Sequence, residues 1–179
     1  GLIDVAALGR DKGKPLDTFH AWKREHMTFP NGAHVVEVEI DRDTGKVELA
    51  RSTAVDDYGV LVNPMVATGQ AHGAMAQGAG PALLEHATYD SASGQMVAAS
   101  FMDYALPRAD DLPSFDLGFN PTRCTTNPLG VKGCGEAGAI AAFPAIANAI
   151  LDALAPLGVK GFHGPASPSR IWQAIQEAR

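Results

Sequence analysis

The chain has 179 residues, 46% of them hydrophobic, so it is long enough to bury a core as one domain or two small ones. Its 14 Lys and Arg against 20 Asp and Glu give a net charge of −6, and the lack of a basic cluster argues against a nucleic-acid-binding surface. No uninterrupted apolar run reaches the roughly 20 residues that cross a bilayer, so we expect a cytoplasmic protein without a membrane span.

The first 30 residues are polar and mixed, and prolines interrupt any periodicity. We therefore predict an extended lead-in over residues 1–30, followed by a domain over residues 31–179. Apolar and polar residues alternate over residues 34–40 and again from residue 46 toward residue 55, and a turn with Gly45 lies between the two runs. This pattern predicts a β-hairpin.

A long helix is predicted over residues 65–86, because Asn63-Pro64 is typical of a helix start. Its apolar face consists of Met75, Ala79, Ala82, Leu83 and His86. Residues 95–106 have the β-branched and aromatic character of a strand. Residues 108–127 are rich in turn-forming residues.

Two further helices are predicted near the C-terminus. Pro144 is expected to occupy the first position of a buried helix over residues 144–154. Ser167 is a candidate N-cap for a helix over residues 168–177, whose buried side would hold Ile171, Trp172 and Ile175. These elements together predict an α+β fold with a hairpin, a long glycine-containing helix, a further strand and buried C-terminal helices.

A glycine-rich segment, NPLGVKGCGEAG at residues 127–138, contains Glu136, which is the only acid between Asp116 and Asp152. A carboxylate among glycines and against an apolar segment is expected to have little water around it, which suits a general base. The alternative is a glutamate in a first helical turn that stabilises the helix dipole and performs no chemistry.

The same segment contains the pattern G-x-G-x-x-G at residues 133–138, which occurs in dinucleotide-binding Rossmann modules. That pattern needs a preceding strand, whereas residues 125–132 contain a proline and a glycine. No second parallel strand ending in an acid follows. A nucleotide-binding module is therefore disfavoured, although the glycines would let backbone N–H groups approach an anionic ligand.

Gln70 and Gln77 lie seven positions apart and share one face of the predicted long helix, with Gly73 between them. The glycines of this helix, Gly69, Gly73 and Gly78, could alternatively serve only to let another element pack tightly. Taken with the glycine-rich segment, this face predicts two walls of one cleft that offers bare backbone, amides and a carboxylate. Such a cleft suits a polar, polyanionic cofactor.

Three segments, in the same order, resemble the molybdopterin-binding subunit of the molybdenum hydroxylases, the family of xanthine dehydrogenase, aldehyde oxidase and carbon monoxide dehydrogenase. They are GQAHGAMAQGAG (residues 69–80), SFMDYALP (residues 100–107) and NPLGVKGCGE (residues 127–136). The resemblance covers about residues 29–176. Because that subunit is much longer than 179 residues, the resemblance implies its C-terminal part.

The resemblance implies that Glu136 is the catalytic base and that Gln70 contacts the molybdenum cofactor. The further cofactor-binding candidates are Gln77, Gly73, Lys132, Gly133 and Gly135. The implied cofactor is molybdopterin with molybdenum, as the cytosine dinucleotide. The implied reaction oxidises an aldehyde, an N-heterocycle or a similar small molecule with oxygen from water.

The implied partners are the remaining portion of the molybdenum subunit and other chains or domains that carry iron–sulfur clusters and FAD. No metal site is expected from the two cysteines, Cys124 and Cys134, because they form no C-x-x-C pair and no histidine lies at ligand spacing. Cys134 departs from the family, which more often has a small or apolar residue there. A non-catalytic scaffold or assembly domain of the same fold is the alternative function.

Overall fold

A computed structural model of the chain describes residues 1–14, 16, 19–23 and 25–178. The elements in chain order are α1 (Leu2–Asp11), β1 (Asn31–Ile40), β2 (Val47–Asp57), α2 (Pro64–Leu83), β3 (Phe115–Phe119), α3 (Ala137–Leu154) and α4 (Pro168–Glu177). Short 3-10 turns occupy Ala109–Asp111 and Ala155–Leu157. The predicted α+β fold is confirmed.

The three strands form one mixed sheet in the order β1-β2-β3. β1 and β2 are the predicted antiparallel hairpin, whereas β3 runs parallel to β2. The hairpin turn is closed by the Asp41 carboxylate, which accepts the backbone N–H of Asp43 at 2.8 Å. Gly45 has φ of 73°, a conformation that side chains disfavour, so this turn requires its glycine.

The main hydrophobic core lies between the hairpin and the helices. Ile146, Ile150 and Leu154 of α3 form its centre, and they pack with Leu49, Leu83, Ile171 and Ile175 from the surrounding elements. Because the inward side chains of the hairpin are partly buried against the same cluster, the sheet and the helices form two packed layers.

Small residues let α2 and α3 approach each other closely. A Cβ at Gly78 would lie 2.6 Å from the Cβ of Ala142, and a Cβ at Gly138 would lie 2.9 Å from the Cβ of Ala74. Ala74 of α2 meets Gly138 of α3, and four residues later Gly78 of α2 meets Ala142 of α3. The residue numbers rise together in the two helices, so the helices run in the same direction. The start of α3 is therefore held beside the middle of α2.

The beginning of the chain differs from the expected extended lead-in, because Leu2–Asp11 forms α1. Asp4 in its first turn and Arg10 in its last turn complement the helix dipole, and no residue of α1 is buried. The part of the lead-in prediction that concerns residues 15, 17, 18 and 24 lies outside the described residues. The division of the chain at residue 30 stays a prediction.

The strand predicted over residues 95–106 is wrong, because this segment forms turns. Short polar side chains satisfy the backbone locally: the Asp90 carboxylate accepts the N–H of Ser93 at 2.7 Å, and the Ser100 hydroxyl accepts that of Met102 at 3.2 Å. Such bonds compete with a strand ladder. β3 occurs instead at Phe115–Phe119, within the segment expected to form turns.

Pro144 lies inside α3 and does not begin a helix, so the expected start at residue 144 is wrong. The missing N–H of Pro144 leaves the carbonyl of Ile140 without its helical partner, and the helix tolerates this where Ile140 faces solvent with 73% exposure. The continuous helical segment Ala137–Leu157, 21 residues with mean hydropathy 1.7, is long and apolar enough to cross a membrane. The core helix of a water-soluble protein passes the same test, so the expectation of a protein without a membrane span stays a prediction.

The C-terminal helix α4 agrees with its predicted bounds, and Ile171 and Ile175 are buried as expected. Trp172 is 45% exposed, so its predicted burial is wrong. It lies on the side of α4 that faces the hairpin turn at Gly45. Ser167 is the N-cap residue, but its side chain makes no capping hydrogen bond. His86 lies beyond the end of α2 and is exposed.

Gly78→Ala tests the close packing of α2 and α3. Alanine favours a helix over glycine by about 1 kcal/mol, but the added Cβ would overlap Ala142, and overpacking costs about 1–3 kcal/mol. We expect a net loss of about 1 kcal/mol in the free energy of unfolding, measured by urea titration. Gly69→Ala is the matched control, since a Cβ there meets nothing within 4 Å and should stabilise the helix. Equal stabilisation by both substitutions would contradict the packing.

Candidate functional site

Strand β2 ends in a buried acid that joins three segments of the chain. The Asp57 carboxylate accepts the backbone N–H of Gly59 at 2.8 Å and that of Thr122 at 2.9 Å. Its other oxygen accepts the ammonium of Lys132 at 2.7 Å. Burial alone would raise the pKa of the Asp57 carboxyl, but the hydrogen bonds from Lys132, Thr122 and Gly59 outweigh burial and hold this pKa well below its usual range.

The glycine-rich segment is attached to the same strand end by its backbone. The N–H of Lys132 donates to the carbonyl of Tyr58 at 2.8 Å, and the N–H of Val60 donates to the carbonyl of Gly130 at 2.9 Å. The side-chain amide of Asn127 bonds both the N–H and the carbonyl of Val131, at 3.1 and 2.9 Å. Residues 127–132 are therefore fixed at many points.

A second buried acid, Asp56, joins His34 of β1 to Tyr58, whose backbone carbonyl accepts a hydrogen bond from the loop. Its carboxylate lies 3.2 Å from Nε2 of His34 and accepts the Tyr58 hydroxyl at 2.6 Å. Burial, together with the hydrogen bond to Asp56 and its charge, raises the pKa of Tyr58. Cys134 packs against the cluster that contains Tyr58 and Ala71. The departure of Cys134 from the family pattern thus has a packing role.

Beyond Lys132 the loop turns outward. A Cβ at Gly133 would meet no atom within 4 Å, so its backbone is open to a ligand. Gly135 lies against α2, since its Cβ would lie 3.8 Å from Nε2 of Gln70. The glycine-rich loop and the Gln70 face of α2, predicted to be two walls of one cleft, are therefore adjacent.

Gln70, Gln77 and Gly73 all lie on the exposed side of α2. Neither glutamine side chain has a hydrogen-bond partner among the described residues. A Cβ at Gly69 or Gly73 would meet nothing within 4 Å, so tight packing explains Gly78 but not these two glycines. This face of α2 offers two unpaired amides with uncovered backbone between them.

Glu136 is the N-cap residue of α3, but its side chain accepts no capping hydrogen bond. The glutamate is exposed in this chain, so the expectation that it has little water around it is wrong here. The reason is structural: α3 starts at the next residue, and none of the described segments covers its beginning. The carboxylate is consequently free for a partner outside this chain.

Sequence reasoning placed Lys132 among the cofactor contacts, but its ammonium is engaged by Asp57 and its side chain is only 10% exposed. Asp56, Asp57, His34 and Tyr58 were missed altogether. Two consecutive acids directly after Ala54 and Val55 at the end of a strand, in the sequence AVDDY, are the signal that could have indicated them, because buried acids in proteins are normally paired.

The surface of the chain is larger than a compact monomer requires. It exposes 12035 Å², whereas a compact monomer of 18.7 kDa would expose about 8,300 Å². Exposed apolar side chains occur beside the site, including Met65 on α2 and Ile140 and Phe143 on α3. Met65, Ile140 and Phe143 therefore give the surface beside the site an apolar character.

The donor set fits an anionic organic cofactor. Gln70 and Gln77 offer amides, Gly73 and Gly133 offer uncovered backbone, and the start of α3 favours a negative group. In the part of the chain that the structure describes, no group of three or more His, Cys, Asp or Glu could hold a metal ion.

Comparisons with known proteins identify this architecture. The family model of the molybdopterin cofactor-binding domain matches residues 3–113. The large subunit of nicotine 6-hydroxylase from Paenarthrobacter nicotinovorans is 38% identical over 161 residues, which are 90% of this chain and 20% of that protein. An alignment of that length includes the glycine-rich loop with Glu136.

Two solved structures share the fold. Reconstituted CO dehydrogenase from Oligotropha carboxidovorans superposes with a TM-score of 0.85 at 33% identity, over 89% of this chain and 20% of that chain. Quinoline 2-oxidoreductase from Pseudomonas putida 86 superposes with a TM-score of 0.83 at 35% identity, over 96% of this chain and 22% of that chain. This chain spans about a fifth of the length of these relatives. The chain belongs to the molybdopterin cofactor-binding domain family, and it corresponds to a part of the molybdenum-binding subunit of the molybdenum hydroxylases.

Proposed function

We propose that this chain supplies the general base, Glu136, and part of the molybdopterin site of a molybdenum hydroxylase. The observation that carries the proposal is the free carboxylate of Glu136, which follows a loop held against the amide of Gln70. A glutamate that served only to cap α3 would bond the first N–H groups of that helix, and Glu136 does not. The similarity to CO dehydrogenase and nicotine 6-hydroxylase supports the same function.

The cofactor would lie against the exposed side of α2 and the outer side of the loop. Gln70 and Gln77 would bond its polar edge, and the bare backbone at Gly73, Gly133 and Gly135 would let it approach closely. We propose molybdopterin cytosine dinucleotide as its form. When bound, the cofactor supplies the two-electron oxidation that no side chain can perform.

Glu136 would take a proton from the water-derived oxygen as it attacks an electron-poor carbon of the substrate. A base for this step must be ionised at rest and within hydrogen-bond reach of the proton that it removes. In the full protein, we propose that the remaining part of the molybdenum subunit covers Glu136. The exposed apolar side chains of Met65, Ile140 and Phe143 would be covered with it.

The substrate and the electron acceptors are proposed from the relatives. Nicotine 6-hydroxylase, CO dehydrogenase and quinoline 2-oxidoreductase are named for different small molecules, so the proposed substrate is an aldehyde, an N-heterocycle or a similar small molecule. The electrons would leave through iron–sulfur clusters and FAD on other chains or domains. A non-catalytic scaffold of the same fold is the alternative, and it would contain no molybdenum.

Glu136→Gln in the full-length protein tests the proposed base. The amide is nearly isosteric with the carboxylate but cannot accept the proton. We expect molybdenum content to be unchanged and kcat to fall by about 100-fold to 10,000-fold, measured by metal analysis and by turnover with an artificial electron acceptor.

Asp152→Asn is the control for this substitution, because Asp152 is an exposed acid near the other end of α3. Its kcat should match that of the wild type. Wild-type turnover by Glu136→Gln would remove Glu136 from the mechanism, and a wild-type protein without molybdenum would favour the scaffold.

Gln70→Leu tests the proposed cofactor contact. Losing a hydrogen bond to an anionic group costs about 1.5–3 kcal/mol, so we expect cofactor binding to weaken by about tenfold or more. The molybdenum retained after gel filtration is the measurement. Gln173→Leu on α4 should retain the wild-type content, and equal retention by both variants would show that Gln70 does not contact the cofactor.

A further inference from the structure

We infer that Asp57 and Lys132 form a clamp that positions the loop carrying Glu136, so that Lys132 acts through Asp57 and not on the cofactor. The inference rests on the proposed function for its catalytic consequence. The clamp itself is a feature of the fold and can be tested without that function.

Asp57 is the point where three segments meet. Its carboxylate bonds the turn that follows β2 through Gly59, the segment that follows β3 through Thr122, and the glycine-rich loop through Lys132. Lys132 lies 75 positions after Asp57 in the chain. This one side chain therefore adds a buried side-chain link between the sheet edge and the loop to the backbone bonds of Lys132 and Val60.

The burial of both charges makes the clamp specific. The side chains of Asp57 and Lys132 are 8% and 10% exposed. Removing one partner of such a pair leaves an uncompensated buried charge, which proteins accommodate poorly. The ion pair of Arg51 with Asp116 at 3.0 Å has the same chemistry, but its side chains are 60% and 56% exposed, so it constrains the chain little.

The clamp ends where the candidate site begins. Residues 127–132 are bonded to the segment after β2, whereas residues 133–135 make no hydrogen bond within the described part of the chain. Three residues extend to about 10 Å at most, so Lys132 at one end of this link, the packing of Cys134 within it and α3 at the other end together set the position of Glu136. A shift of Lys132 moves Gly133 and changes the path of the chain into Glu136.

A direct contact of Lys132 with an anionic cofactor is the competing role. It would require the ammonium to leave a carboxylate that lies 2.7 Å away and has two further backbone bonds holding it in place. An exposed lysine without a partner would serve a cofactor better. The geometry therefore assigns Lys132 to the fold of the loop.

The test compares Lys132→Met, Asp57→Asn and the double variant in the full-length protein. A misplacement of about 1 Å can cost about 100-fold in rate, so we expect each single variant to lower kcat by about tenfold to 100-fold while molybdenum content stays at the wild-type level. The double variant should fall within about twofold of the worse single variant, because the two side chains act as one unit. Asp57→Glu, which keeps the charge but shifts it, should also lower kcat if Asp57→Asn does not fold.

Hydrogen exchange separates the clamp from the proposed function. The hydrogen-bonded backbone amides of residues 130–132 should exchange about tenfold faster in Lys132→Met than in the wild type, and Asp116→Asn should leave them unchanged. Unchanged exchange in Lys132→Met would overturn the clamp. A loss of molybdenum in Lys132→Met but not in Asp57→Asn or Asp57→Glu would overturn it in favour of a cofactor contact. Faster exchange in a protein that lacks hydroxylase activity would retain the clamp and reject the function.

Discussion

The close packing of α2 on α3 is the constraint on which the candidate site depends. Gly78 and Gly138 remove the side chains that would hold the two helices apart, and this places the start of α3 beside Gln70. Glycine costs a helix about 1 kcal/mol relative to alanine. Despite this loss of helix stability, the two glycines bring the Gln70 amide on α2 and the Glu136 carboxylate at the start of α3 to one surface.

The buried acids at the end of β2 provide the second constraint. A loop of glycines has little conformational preference of its own, so its shape has to come from contacts outside it. Asp57 supplies such a contact through Lys132, and the apolar cluster around Tyr58 supplies another through Cys134. The candidate cofactor contacts therefore lie on the outer side of the glycine-rich loop, and Asp57 and the Tyr58 cluster, which position the loop, lie on its inner side.

The sequence predicts the elements whose signals are local. The hairpin, α2 and α4 were found because alternation, helical spacing and turn residues lie within each segment. β3 was missed because its pairing with β2 joins Ser52 to Phe115, and no local pattern encodes so distant a parallel contact. The Asp57–Lys132 pair is likewise long-range. The exposure of Glu136 was not predicted because a glycine-rich segment beside an apolar one does not reveal whether another segment packs over the start of α3.

The central claim is that Glu136 and Gln70 face one bound cofactor. A crystal structure of the full-length protein with its cofactor is the most direct measurement. The account predicts a Glu136 carboxylate shielded from bulk water and within about 3 Å of the reacting oxygen, with the Gln70 amide bonded to the cofactor. A carboxylate that still faces open solvent, with the cofactor bound elsewhere, would contradict the account.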